Sequence, residues 1–333
     1  MVFTKSYFMR KIAFLMLPFL MIHSCKQDNK SNSEQVNSRT PTEVSTSKNI
    51  DYSGNYVDDG YVKKNEGYDW IAVIVNKIDD NSISVSVRSR ADKKRPTCTF
   101  DTKAYKKNEG VYEAVYKGKK IRFRFSNDSI SIAPENPEDD GVLSFFCSGG
   151  ASFTGTYRKI DGELDKKQVD PTSFSKVLNL QGVGFNVSSL EKEENMLSIF
   201  TFGLQEQEYN ESFNITGESV INAEVEDLNS DGSPELLVYT QSVESNKYGK
   251  VYAFSVNNMK SMSQVYFPPV SENSRINKGY NGHDEFFVVE NNLVQRFPVF
   301  NDEDSSGETR QVSYTLVDGE AMRKFEVDSI TDY

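Results

Sequence analysis

From residue 50 onward, apolar side chains come in short runs, some alternating with polar ones and some continuous, and no long stretch keeps a helical period. Such runs stand at 70–75, 83–87, 120–125, 236–239, 250–256, 286–289 and 311–316. Between them lie Asp79-Asp80-Asn81, Lys117-Gly118-Lys119, Asn127-Asp128, Asn257-Asn258, Asn291-Asn292 and Asp318-Gly319, residue types that tolerate the dihedrals of tight hairpin turns. With 17 Tyr and 22 Phe, which pack well on a pleated surface, the pattern predicts an all-β protein of antiparallel sandwiches or flattened barrels.

The most polar break falls at 159–172, which divides the strands into an expected β-domain at 50–160 and a second at 173–333. The first opens with Ser53-Gly54-Asn55-Tyr56 and closes with Thr154-Gly155-Thr156-Tyr157. These two Gly-x-Tyr strand starts are expected side by side, as first and last strands of one closed sheet. Trp70, the single tryptophan, reads as a core anchor.

Ahead of the strands, Lys5, Arg10 and Lys11 precede an apolar stretch at 12–22, the layout of a secretory signal and too short to span a bilayer comfortably. The stretch ends in Ile22-His23-Ser24-Cys25, which resembles the lipobox of bacterial lipoproteins and implies cleavage after residue 24 and acylation of Cys25. Residues 26–49 contain no aromatic side chain and too little apolar surface to offset the entropy of ordering, so 25–49 is expected to be a disordered tether. Such a chain is held at the cell envelope, periplasmic or outer-membrane, and touches the membrane through its lipid alone. Cys98 and Cys147 then remain as a pair in a compartment where disulfides persist.

The formal charge of the whole chain is −11; without residues 1–24, 35 Lys and Arg face 49 Asp and Glu, a charge of −14. That repels nucleic acid and steers cationic partners inward, although solubility alone also accounts for it.

One turn stands out. Asp227, Asn229, Asp231 and Glu235 occupy positions 1, 3, 5 and 9 of a segment with Gly232 at position 6, the oxygen spacing of a Ca²⁺-wrapping loop. Val238 stands where an EF-hand has its bidentate Glu, so a turn held by Asp and Asn side chains fits equally, and no cofactor is required.

The segments that follow come in an informative order. Asp-Leu-Asn-x-Asp-Gly-x-Pro-Glu-Leu at 227–236 leads to Gln241-Ser242, then Ser245-Asn246-Lys247-Tyr248-Gly249 and the run Val251-Tyr252-Ala253-Phe254-Ser255. Gly279-Tyr280-Asn281-Gly282-His283-Asp284-Glu285-Phe286 and Arg296-Phe297-Pro298-Val299-Phe300 come next. This succession resembles the bacterial periplasmic inhibitors of invertebrate-type (i-type) lysozyme over about residues 175–320. The resemblance implies a two-sheet antiparallel β-domain that presents a Ser-Gly-x-Tyr loop to the cleft of a lysozyme. That loop falls on Ser245, Asn246, Lys247 and Tyr248, with Asn246 in the place of glycine and expected to adopt its left-handed conformation.

Chemistry makes the same loop a sensible inhibitor. A lysozyme cleft holds a general-acid carboxyl and a second carboxylate between sugar subsites. A serine hydroxyl can hydrogen-bond those carboxyls, a tyrosine can fill a subsite, and Lys247 adds a charge-assisted contact. His283, Asp284 and Arg296 read as residues that support the binding face, the first two by hydrogen bonds; Arg296 is expected in an edge strand, where Pro298 is tolerated, and paired with a local carboxylate.

Catalysis is the weaker expectation. Beyond the signal His283 is the only histidine, and no Gly-x-Ser-x-Gly or Ser-x-x-Lys motif occurs, which leaves only the carboxylate chemistry of a glycosidase. The alternative to lysozyme inhibition is a calcium-dependent cell-surface interaction module.

Overall fold

The computed structural model describes residues 50–190, 194–301 and 304–333. The expected signal segment 1–24, the expected acylation site Cys25 and the expected tether 25–49 lie outside the described residues. The protein is all-β and antiparallel: an eight-stranded closed barrel followed by three four-stranded sheets.

The barrel comprises β1 (Gly54–Val57), β2 (Ile71–Asp79), β3 (Ser82–Ser89), β4 (Thr99–Asn108), β5 (Val111–Tyr116), β6 (Lys119–Ser126), β7 (Ser129–Pro134) and β8 (Gly155–Ile160). Alternation along the strands sends Val73, Val75, Val85, Val87, Ile121, Phe123, Ile130 and Ile132 into one interior, as the pleat requires. The two Gly-x-Tyr starts do lie side by side, for β1 pairs with β8 and closes the barrel. Each tyrosine repeats one device: the Tyr56 hydroxyl donates to the carbonyl of Tyr52 and the Tyr157 hydroxyl to that of Phe153, both at 2.8 Å. A buried phenol thereby ties the chain four residues upstream. The Cys98–Cys147 disulfide joins the approach to β4 to the turn that follows the short helix α1 (Gly141–Ser144).

Residues 161–171 are fastened to the barrel. Trp70, buried edge-on against Tyr61, donates from Nε1 to Gln168 at 3.2 Å, and Arg90 bridges to Val169. Arg88, almost wholly buried, ion-pairs with Asp101 and donates from Nε to the carbonyl of Thr172 at 2.6 Å, while the N–H of Ser175 donates to Asp101 at 2.7 Å.

The remaining strands form three sheets. The first contains β9 (Thr172–Leu180), β10 (Val183–Leu190), β11 (Met196–Phe202) and β12 (Asn210–Asn214). The second contains β13 (Glu218–Glu226), β14 (Glu235–Ser242), β15 (Gly249–Asn257) and β16 (Ser261–Val265). The third contains β17 (Glu285–Val289), β18 (Asn292–Asn301), β19 (Asp304–Val317) and β20 (Lys324–Asp332). Leu236, Val238 and Phe254 pack with Phe185, Val187 and Ile199 of the first sheet. Their neighbours Leu237, Tyr239 and Ala253 pack with Leu293, Phe297, Tyr314 and Phe325 of the third. The second sheet is therefore covered on both faces.

Two expectations are corrected here. The resemblance implies two sheets, whereas three are stacked, because the 172–214 segment supplies a further apolar face. Nor is Arg296 in an edge strand: β18 lies between β17 and β19. Proline at 298 is accommodated because β17 stops opposite Arg296 and the ladder to β19 shifts register between Pro298 and Phe300.

The disulfide closes a segment of sequence separation 49. Replacing both cysteines by serine is expected to lower unfolding free energy by about 4 kcal/mol through the larger entropy of the open chain, measurable by equilibrium denaturation beside the oxidised protein.

Candidate functional site

Strand β14 and strand β15 are joined by the loop 243–248, and this loop meets a second one, 277–284, that leads into β17. Backbone contact comes first. The N–H of His283 donates to the carbonyl of Asn246 at 2.7 Å, and Gly282, at φ 78°, lies so close that an added Cβ would be 2.2 Å from that same oxygen. Only glycine meets both conditions. Side chains complete the weld: the Asn246 amide nitrogen donates to Asn281 Oδ1 at 2.7 Å and the Tyr248 hydroxyl to the same oxygen at 3.0 Å.

Beneath this contact sits a buried carboxylate. Asp284, 2% exposed, accepts from the N–H of Gly249 and the hydroxyl of Tyr280, both at 2.7 Å, and from Gln295 Nε2 at 2.6 Å. Gln295 in turn accepts from the Tyr314 hydroxyl at 2.6 Å. Burial pushes the Asp284 carboxyl up, and these donors oppose the shift. The chain from Tyr314 to Gly249 thus ties the third sheet to the root of the 243–248 loop.

What faces outward is compact. Tyr248 remains 39% exposed and rests edge-on against Tyr280. Ser245 is exposed and donates to Asn246 Oδ1 at 3.0 Å. The left-handed backbone falls on Lys247, at φ 47°, and not on Asn246 as expected; Asn246 contributes its amide and carbonyl to the loop contact instead. Lys247 is exposed, and its ammonium has no hydrogen-bond or ion-pair partner among the described residues.

His283 and Asp284 are neighbours in sequence but diverge in space: the His283 ring stacks on Phe300 at 6.0 Å, while Asp284 points into the network described above. Arg296 holds its guanidinium over the ring of Phe287 and donates from Nε to Gln311, so its partners are an amide and an aromatic face where a carboxylate was expected. Gln295 carries no signal in the sequence, and Tyr280 and Asn281 enter there only as members of the 279–286 segment with no role assigned. The Asn281-Gly282 pair, a turn signal, was the one local clue.

The 227–235 turn sits at the other end of β14. Asp227 accepts from the N–H groups of Asp231 and Gly232 and from Gln181, and Asp231 accepts from the N–H of Ser233. Arg323 donates to Asp231 at 2.8 Å and approaches Glu235 at 3.4 Å. Glu235, 1% exposed, also accepts from Ser255 and from the N–H of Leu228. These contacts hold the turn together through its own Asp and Asn side chains and Arg323, and among the described residues no group of three or more acidic, His or Cys side chains is gathered as a metal site.

Charge is unevenly spread along the chain. Residues 161–333 hold 13 Lys and Arg against 30 Asp and Glu. Lys247 is thus an exposed cation in a strongly acidic half.

No family model matches the chain, and no curated protein matches it. Among solved structures the chain is similar to an endo-1,4-beta-xylanase from Bacteroides thetaiotaomicron VPI-5482, with a TM-score of 0.30 and 11% identity over 85% of this chain and 96% of that one. A likeness at that level says nothing of activity.

Two outcomes are expected. Burial pushes Glu235 up to about 7 from the ordinary 4.5, so the folded state holds the extra proton between those values. Its contribution is full below about pH 4.5 and is lost as pH rises through 7, on the order of 3 kcal/mol. Glu235→Gln should flatten that part of the melting temperature against pH curve; an unchanged slope would show that Glu235 does not titrate there. Gly282→Ala should cost about 1–3 kcal/mol and speed hydrogen exchange at the His283 amide.

Proposed function

We propose that the protein acts by binding, as an envelope-anchored inhibitor that places the 243–248 loop in the cleft of a lysozyme, with i-type enzymes the favoured target. The observation that carries this reading is the rigid pairing of an exposed aromatic with an unpartnered cation. Tyr248 is fixed through Asn281 and Tyr280, and Lys247 beside it projects from a left-handed turn.

Preorganisation matters because ordering a loop on binding costs affinity, and here the hydrogen bonds to Asn281 and His283 have already limited its freedom. A tyrosine held in this way inserts a large amphipathic surface with little further loss of entropy. The Ser245 hydroxyl and the Lys247 ammonium suit a cleft lined by two carboxyl groups. The excess of acidic residues in 161–333 would speed encounter with a basic enzyme, an effect on association rate more than on affinity.

The reading is tested by titrating the folded chain from Ile50 onward against an i-type lysozyme in a cell-wall lysis assay, with a chicken-type enzyme alongside. Stoichiometric inhibition is expected, and Tyr248→Ala should weaken it by about thirtyfold, the effect of losing a hot-spot aromatic of about 2 kcal/mol, with little change in melting temperature. Absence of inhibition of either enzyme would overturn the proposal.

A further inference from the structure

The first sheet carries an outer face of unusual chemistry. Residues pointing inward along it are the core side chains Val183, Phe185, Val187, Leu197 and Ile199. By the two-residue alternation of the pleat, the opposite face presents Ser175, Val177 and Asn179 from β9, and Gly184, Asn186 and Ser188 from β10. It presents Ser198, Phe200 and Phe202 from β11, and Asn210, Ser212 and Asn214 from β12. None of these is charged, within a half of the chain that contains 43 charged residues.

Register arranges the face in rows. Phe200 lies between Asn186 on β10 and Asn210 on β12, so an exposed ring is flanked on both sides by an amide. One row along, Ser198 lies between Ser188 and Ser212. In the other direction Phe202 lies opposite Gly184, and a Cβ there would be 2.0 Å from the ring, so the phenyl group is seated on glycine backbone. Phe200 is 43% exposed and Phe202 37%. Beyond them a groove of about 390 Å³ continues toward the barrel, closed on the far side by Phe145, Phe146 and Thr99, and it too is lined by no charged residue.

We infer that this face binds an uncharged polysaccharide chain, with sugar rings stacked on Phe200 and Phe202 and sugar hydroxyls hydrogen-bonded by the flanking asparagines and serines. The chemistry selects that occupant. An anionic polymer would leave its charge without a cation, at a desolvation cost that nothing on the face offsets. A protein partner, or a second copy of this chain, is favoured by a broad apolar centre, and here the apolar strip of Phe200, Phe202, Val177, Phe145 and Phe146 is narrow and bordered by the hydroxyls and amides of Ser175, Ser188, Asn186 and Asn210. A saccharide has an apolar C–H face to cover a ring and hydroxyls that both donate and accept, and asparagine amides and serine hydroxyls do the same. The site uses none of the residues of the paired loops and goes beyond the inhibitor reading.

Calorimetric titration of the full-length protein in detergent with cellohexaose and with chitohexaose tests the inference, with hexagalacturonate as the charged counterpart. Binding of at least one neutral hexasaccharide, and no binding of the anionic one, is expected. Phe200→Ala should weaken the neutral ligand about tenfold, the usual worth of one aromatic contact, and Phe200→Trp should restore it. Asn186→Ala provides a second variant on an exposed position that carries little of the core. The inference is overturned if neither neutral hexasaccharide binds, if hexagalacturonate binds as well, or if neither Phe200→Ala nor Asn186→Ala alters affinity. It is also overturned if the protein self-associates and Phe200→Ala dissolves the association, since the face would then belong to a second copy.

Discussion

Strand β14 has to satisfy two hydrophobic cores at once. Leu236 and Val238 face the first sheet and Leu237 and Tyr239 the third, and all four are fully buried. A strand covered on both faces reads as a continuous apolar run in place of an alternation. It cannot slip by one residue without exchanging its two sets of side chains between cores of different shape, so its register is strongly specified. Everything attached to the ends of β14 inherits that definition.

Both ends carry polar groups withdrawn from water. At one, Glu235 and Asp231 meet Arg323 from the approach to β20; at the other, the β14–β15 loop is tied through Gly249 to Asp284. Buried carboxylates add little net stability, yet when every oxygen has a donor they discriminate sharply among alternative packings. Asp284 is the more consequential. Its three donors come from the root of the 243–248 loop, from Tyr280 and from Gln295 of β18, so one group fixes the positions of two loops and a sheet. The exposed Tyr248 and Lys247 acquire a fixed presentation from a carboxylate that neither of them touches.

The two outward surfaces differ in electrostatic character. The paired loops carry Lys247 and Lys278 within an acidic half, whereas the outer face of the first sheet has no charged residue. The proposed partners, a charged cleft and a neutral chain, would make opposite demands on solvation, and the two surfaces differ in the same sense.

Local chemistry was sufficient for the class of fold. Turn residues such as Lys117-Gly118 and apolar runs such as 250–256 act within a few residues of themselves, so the antiparallel strands were legible, as was the adjacency of the two Gly-x-Tyr starts that close the barrel. Of the candidate loop, Ser245 to Tyr248 could be named, because the motif is contiguous. Which residue turns left-handed could not: Asn246 has the better intrinsic preference, but its amide and carbonyl are claimed by Asn281 and His283, and the strain passes to Lys247. The same reason covers Arg323, 92 residues from Asp231, and the third stacked sheet. By itself the sequence determined what each short segment prefers to be; tertiary structure alone decided which segments meet, because burial and hydrogen-bond satisfaction are shared between residues remote in the chain.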